Sequence, residues 1–328
     1  AGFGASRSEL EKINEKDYES IVEDLLNPDR FEDLDEDYIM RYNPDVSYHD
    51  GNTNHAGRWV WRMINSKRPL EEKMALFWHH VFATAWYKSE HSPSVISQIE
   101  SFRKNGLSNI KQVLLDLSKD PAMNYWLDNC ENHADQPNEN WGRELLELFS
   151  MGVGNYTEDD IKNAARAFTG WTFEQPLPLY PFGHYESAFI YDENDHDDSE
   201  KTFLGKTGKF NGEDIIDIIC EQRATAKFIC RHIYTFFVED ETQVHTWSIE
   251  PPRNPDAIEA MMDVFMKSDG DIKSVLRFVF NSEFFKEARF KRVKTPSELV
   301  AGTLKLTGTY GVMPETGEDV GKLYGATS

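Results

Sequence analysis

The 328-residue chain predicts a mainly α-helical single domain, and three observations carry that expectation. Apolar residues recur at i, i+3, i+4 spacing through most of the sequence, helix-start signals precede many of those stretches, and short strand-like pieces are confined to 171–211. With 39% hydrophobic residues, including 21 Phe, 13 Tyr and 8 Trp, the chain can bury a large aromatic core. No Pro-, Gly- or Ser-rich linker divides the periodic segments, so residues 1–328 read as one domain with an irregular Pro-rich excursion at 171–211. No internal repeat of solenoid length is evident.

Taken in order, G-F-G at Gly2 to Gly4 predicts a tight turn, because glycine accepts backbone angles other residues avoid. S-R-S-E from Ser6 is a capping box opening a first short helix, and D-Y-E-S-I-V-E-D-L-L opens a second. Helical periods then predict helices over 54–66, 69–87, 92–104, 109–119, 138–151 and 157–170. Pro93 follows a capping Ser92, and T-E-D-D from Thr157 puts an acid at N3. Beyond the excursion come helices at 212–222, 224–238, 254–267, 271–280 and 296–307.

The helix over 69–87 is apolar nearly all round, with Met74, Phe77, Trp78, Val81, Phe82, Ala85 and Trp86 as its main stripe, so it is expected at the centre. His79 lies on the flank of that stripe, either as a core histidine bonded to a carboxylate or carbonyl, or as an active-site base or ligand. His80 points elsewhere. Successive helical residues diverge by about 100°, so the pair does not readily share one metal ion.

In P-N-E-N-W-G-R-E-L-L-E-L-F-S-M-G, 137–152, helical spacing puts Trp141, Leu145, Leu148 and Phe149 on one side. Glu139, Arg143 and Glu147 form an i, i+4, i+8 row on the other. As an exposed ladder that row stabilises by roughly 0.3–0.5 kcal/mol per pair. Glu144 falls at the margin of the apolar face, where a carboxylate needs a cation, a metal or several donors to stay ionised. Gly152, Gly154 and Asn155 make a short link to the next helix, which predicts antiparallel neighbours. Arg143 and Arg166 are then expected to face a shared polar centre with Glu144.

Within the excursion, Pro176, Pro178 and Pro181 exclude a continuous helix and predict an extended loop with a small hairpin. Its end, D-E-N-D-H-D-D-S-E-K, alternates oxygen donors at Asp192, Asn194 and Asp198 with His196 and Asp197 between them. Those residues are the candidate ligands for a divalent cation such as calcium; the plain alternative is a solvated acidic turn. The glycine and distal glutamate of an EF-hand are not in place.

Against 57 Asp and Glu the chain sets 35 Lys and Arg, a formal charge of −22. That field repels nucleic-acid phosphates and anionic lipids, so no nucleic-acid partner is expected, and the acidity serves solubility. The one basic run, 286–294, reads as the positive end of a helix. No segment approaches the ~18 apolar residues of a membrane helix. Three cysteines leave two options for Cys220 and Cys230, a disulfide or buried free thiols, with Cys130 unpaired. The motifs of serine-hydrolase elbows, P-loops, zincins and dinucleotide folds do not occur.

The run from Pro137 to Trp171, including N-Y-T-E-D-D-I-K-N-A-A-R-A-F-T-G-W, resembles the bacterial family catalogued as domain of unknown function 1800. A-G-F-G-A-S from Ala1, E-K-M-A-L-F-W-H-H-V-F-A-T from Glu72, D-P-A-M from Asp120 and H-D-D-S-E-K-T-F-L-G from His196 match it in the same order. The resemblance spans essentially the whole chain. It implies an exported protein, periplasmic or extracellular, truncated here at both ends, and it supplies shared positions but no reaction. Two functions follow as expectations. One is an acid/base or metal-assisted hydrolase acting on an extracytoplasmic substrate: Glu144 or Glu147 supplies the carboxylate, Arg143 or Arg166 holds an anion, and His79 or His196 moves a proton. The other is a non-enzymatic binding or assembly protein whose aromatic excursion meets a protein partner.

Overall fold

A computed structural model describes residues 2–35, 51–89, 91–174, 187–242 and 250–308. Local capping chemistry sets most helix starts. Ser6 closes its capping box on Glu9 ahead of α1 (Arg7–Ile13), and Asp17 accepts the Ser20 N–H ahead of α2 (Tyr18–Leu26). There follow α3 (Gly51–Asn65), α4 (Pro69–Val81), α5 (Trp86–Ser89), α6 (Ser92–Asn105), α7 (Ile110–Lys119), α8 (Pro121–Trp126), α9 (Asn140–Glu144) and α10 (Glu158–Ala167). The second half holds α11 (Gly212–Cys220), α12 (Arg223–Phe237), α13 (Pro255–Lys267), α14 (Ile272–Asn281), α15 (Glu283–Lys286) and α16 (Pro296–Thr307). The fold is mainly helical, as the periodicity predicts, and none of the described helices is long and apolar enough to cross a membrane.

The α4 helix is central. Trp78 stacks on Phe82 with ring centroids 5.0 Å apart and donates from Nε1 to the Gly106 carbonyl at 2.9 Å. Phe77 meets Phe236 of α12 edge-on at 5.2 Å, and Phe82 meets Phe149 at 5.5 Å, so one aromatic chain ties both halves together. Glu72, on the same helix, is wholly buried, and its Oε1 accepts from Arg62 Nε at 2.6 Å and Arg103 Nε at 2.8 Å. Trp59 Nε1 donates to its other oxygen at 3.2 Å.

Three expectations are corrected. The central helix stops at Val81 instead of running to 87, with Phe82 leaving helical angles at φ −108°, ψ 49°. The turn that follows takes Thr84 inward, where its hydroxyl donates to Gln98 at 2.7 Å, and Gln98 in turn donates to Asp120 at 2.7 Å. A buried hydroxyl needs a partner, and Gln98 of the neighbouring α6 supplies it.

The helix expected over 138–151 is α9 followed by a π-helical turn, Leu145–Ser150. The Ser150 hydroxyl donates to the Leu145 carbonyl at 2.5 Å, while the Met151 and Gly152 N–H groups both reach Leu146 O at 3.0 Å. The wider turn changes the phase, so Leu146 is buried and Leu148 stands 52% exposed instead of joining the apolar face.

The basic run is not simply a helix end, because α15 stops at Lys286. Arg292, beyond that stop, pairs with Glu298. The cysteines are free thiols, with burial pushing Cys220 up to about 12.

The excursion forms two small antiparallel hairpins, β1 (Trp171–Glu174) with β2 (Ala188–Tyr191) and β3 (Lys201–Phe203) with β4 (Lys206–Gly208). Trp171 faces Tyr191 in the first register and Lys201 faces Gly208 in the second. Pro176, Pro178 and Pro181 lie outside the described residues. Gly170, at φ +75°, turns the chain into β1 where a Cβ would meet the Asp192 carbonyl at 2.4 Å.

Candidate functional site

Two cavities flank the last turn of α4, and the adjacent His79 and His80 line one each. The larger, a cleft of about 800 Å³, is walled by α4, the α9–π segment and α12. Its acidic side carries Glu144, the last residue of α9, and Glu147 in the π turn. Across it stand His80 of α4 and Lys227, Phe228, Arg231 and His232 of α12. Gly142 lets this segment lie close on α10, since a Cβ there would approach Ala165 N at 3.0 Å and Ile161 O at 3.1 Å. A π turn re-aims side chains relative to an α-helix, and such turns recur at functional sites.

The electrostatics of the cleft separate its groups. Burial first, then the neighbouring Glu147 charge, raise the Glu144 carboxyl above its ordinary value, with Arg143 opposing. Glu147 accepts the Tyr156 hydroxyl at 3.2 Å, and burial followed by that same carboxylate pushes the Tyr156 phenol upward. Burial, then His80 and Arg231, lower His232 to about 3, so its ring is neutral near pH 7 and can accept or relay a proton. Arg231 is held by Glu241 at 3.2 Å and the Glu250 carbonyl at 2.7 Å.

The expected shared centre of Arg143, Arg166 and Glu144 is not formed. Arg143 makes a fork to Glu158 at 3.0 and 2.8 Å and a bond to Glu139 at 3.1 Å. The predicted three-residue ladder therefore loses its Glu147 rung, which the π turn delivers to Tyr156. Arg166 reaches Asp197 at 2.7 Å, Asn163 at 2.7 Å, the Glu200 carbonyl at 3.2 Å and Ser199. Glu158 opens α10 and Arg166 stands near its other end, about 12 Å further along the axis at helical rise, so the two arginines serve opposite ends of one helix.

His79, Glu144 and His196 do not converge either. His79 meets the Trp59 ring edge-on at 5.5 Å in the smaller cavity. His196 Nδ1 lies 3.0 Å from the Thr169 carbonyl, with Tyr191 beside its ring.

The acidic loop is taken up by local partners. Asp192 caps its own turn on Asn194 N at 3.0 Å, Asp195 pairs with His133 at 2.6 Å, and Asp198 pairs with Lys209 at 2.8 Å. Burial opposes ionisation of Asp197, but bonds from Arg166 and Ser199 outweigh it and hold the carboxyl well below its usual range. Among the described residues no three His, Cys, Asp or Glu side chains are grouped to hold a metal ion. His196 and Asp197 thus tie the loop to Thr169 and to Arg166 of α10, while Asp192, Asn194 and Asp198 bond within the excursion itself. Arg166→Lys, which keeps the charge but loses the fork, is expected to cost about 1–2 kcal/mol in urea melts and to speed proteolysis of 187–211. Wild-type values in both would show that the loop is held elsewhere.

His80, Lys227 and His232 are the cleft residues that sequence reasoning passed over, together with Tyr156, which bonds Glu147 from outside the lining. A signal existed in α12, where Phe228, Arg231, His232 and Thr235 follow i, i+3, i+4, i+7 spacing and all line the cleft.

The family model described as "Protein of unknown function (DUF1800)" matches residues 1–325. No curated protein and no solved structure matches the chain.

Proposed function

The chain belongs to the DUF1800 family, whose description assigns no reaction, and from that premise we propose that the cleft between α4, α9 and α12 is the active site of an acid/base hydrolase. The observation that carries the reading is the pair Glu144, at the end of α9, and Glu147, in the π turn, which line one large cleft with His80 and His232. Two neighbouring carboxyls whose surroundings differ can divide acid and base roles. Glu144, raised by burial and by Glu147, supplies the proton to the leaving group. Glu147, oriented by the Tyr156 hydroxyl, takes a proton from the attacking water. The water oxygen bonds the electrophilic centre, carbon or phosphorus, as the leaving-group bond breaks, and one proton then returns from Glu147 to Glu144 through solvent. Lys227 on the facing wall favours a polar or anionic substrate.

Export, implied by the family resemblance, would put that substrate outside the cytoplasm; finding the protein only in the cytoplasmic fraction would remove that part of the proposal. The reaction itself is tested with chromogenic esters, glycosides, peptides and phosphate esters, with and without chelator. Turnover of one class is expected, unchanged by chelator and falling as pH rises past the elevated value of Glu144. Glu147→Gln should reduce it by about 10²- to 10⁴-fold. Ala83→Trp, an exposed substitution that fills the cleft mouth, should block it. No turnover of any class, or turnover indifferent to both variants, would sink the proposal.

A further inference from the structure

The smaller cavity, about 370 Å³, lies on the opposite side of the α4 terminus and is lined by residues of α3, α4, α5 and α6. Its lining is largely apolar, with Trp59, Trp86, Val95, Ile96 and Ile99. It carries Arg58, Arg62, Arg103 and Glu100 as well. Three ring nitrogens in its lining, His55 Nδ1, His79 Nδ1 and Trp86 Nε1, are buried without a hydrogen-bond partner among the described residues. A folded protein rarely leaves such atoms unpaired, and several in one cavity point to a ligand that supplies the partners. An apolar cavity of this size with a few convergent polar atoms has the form of a small-molecule site.

The atoms specify the chemistry. An indole N–H only donates, so the occupant must offer an acceptor to Trp86. Burial and the Arg58 charge lower His55 to about 4, and burial and His80 lower His79, so both rings are neutral at physiological pH and each can donate one bond. The Arg58 guanidinium close to His55 favours a negative or strongly polar acceptor over a cation. Flat walls of indole favour a planar ring.

We propose that this cavity binds a compact planar aromatic molecule carrying a carboxylate or amide oxygen, which accepts hydrogen bonds from Trp86 Nε1 and the two histidines. The site is separate from the cleft assigned to hydrolysis and does not depend on that reading.

The test uses benzoate, benzamide and benzylammonium as probes against the isotope-labelled whole chain. Loss of one indole N–H signal in Trp86→Phe assigns that resonance. Benzoate and benzamide are expected to shift it saturably, with benzylammonium, which has the ring but no acceptor, binding at least tenfold more weakly. Trp86→Phe should weaken benzoate by roughly tenfold while keeping the wall, in line with losing one hydrogen bond. Ile96→Trp should abolish binding by filling the cavity, and Val95→Phe serves the same purpose should the first variant not fold. Equal binding of benzoate and benzylammonium, absence of saturable shifts at millimolar probe, or full binding in a folded cavity-filled variant would each overturn the proposal.

Discussion

Glu72→Gln is expected to destabilise the protein by about 3–5 kcal/mol, the usual consequence of removing one member of a buried ionic group. The Glu72 side chain has no exposure, and those of Arg62 and Arg103, which share its Oε1, are each 6% exposed. Arginine cannot shed its proton at any accessible pH, so neutralising the carboxylate leaves buried positive charge with weakened compensation. The buried pair of Lys73 with Glu298 offers a contrast. Burial, then Arg292 and Lys294, push Lys73 down to about 7, so Glu298→Gln can be met by loss of the lysine proton, while the second partner, Arg292, is 17% exposed and keeps access to water; the substitution should cost less than Glu72→Gln. Urea unfolding of both variants at pH 7 checks the order. A loss below about 1 kcal/mol for Glu72→Gln would mean that water reaches the cluster. The triple replacement Glu72→Leu, Arg62→Met, Arg103→Met should be less damaging than Glu72→Gln alone, because no buried charge is then stranded; Asp33 and Glu100, which also lose an arginine, are about half exposed.

Glu144→Gln is expected to lower turnover by about 10²- to 10⁴-fold without loss of fold, the range for removing a general acid. The two readouts should move apart. Because the folded protein holds the Glu144 carboxyl above its ordinary 4.5, it binds this proton more tightly than the unfolded chain does. Stability from the group is therefore fully present below 4.5 and is lost as pH rises through the elevated folded value. Glutamine keeps the shape and carries no charge, so the variant should melt at the same temperature as the parent or higher at pH 7, with any gain vanishing at pH 4. Strong destabilisation at pH 7 would assign Glu144 a structural role instead, and full turnover would place the acid elsewhere.

Short-range chemistry made much of the fold legible. Ser6, Thr157 and Thr295 each cap a helix through their own side chains, and α16 occupies the 296–307 stretch that the pattern predicts. The central place of α4 was legible too, since a helix apolar nearly all round must be enclosed. Glu144 could be singled out because a carboxylate beside an apolar stripe breaks the pattern at that position, and Glu147 because it follows one turn later in a charged row. Their companions could not. Arg143 and Arg166 part company because each is claimed by an acid from another segment, Glu158 and Asp197.

By itself, the sequence determined a mainly helical chain, the capped starts at Ser6, Thr157 and Thr295, the buried face of α4 and the carboxylates worth suspecting, though not the start at Ser92, which lies inside α6 without capping it. Tertiary structure alone decided that α4 ends at Val81, that a π turn delivers Glu147 to Tyr156, and that His79 and His80 line different cavities. Caps and helical periods act over three or four residues and can be read locally, whereas the partner of a buried polar group is whatever the packed neighbours bring within hydrogen-bond reach.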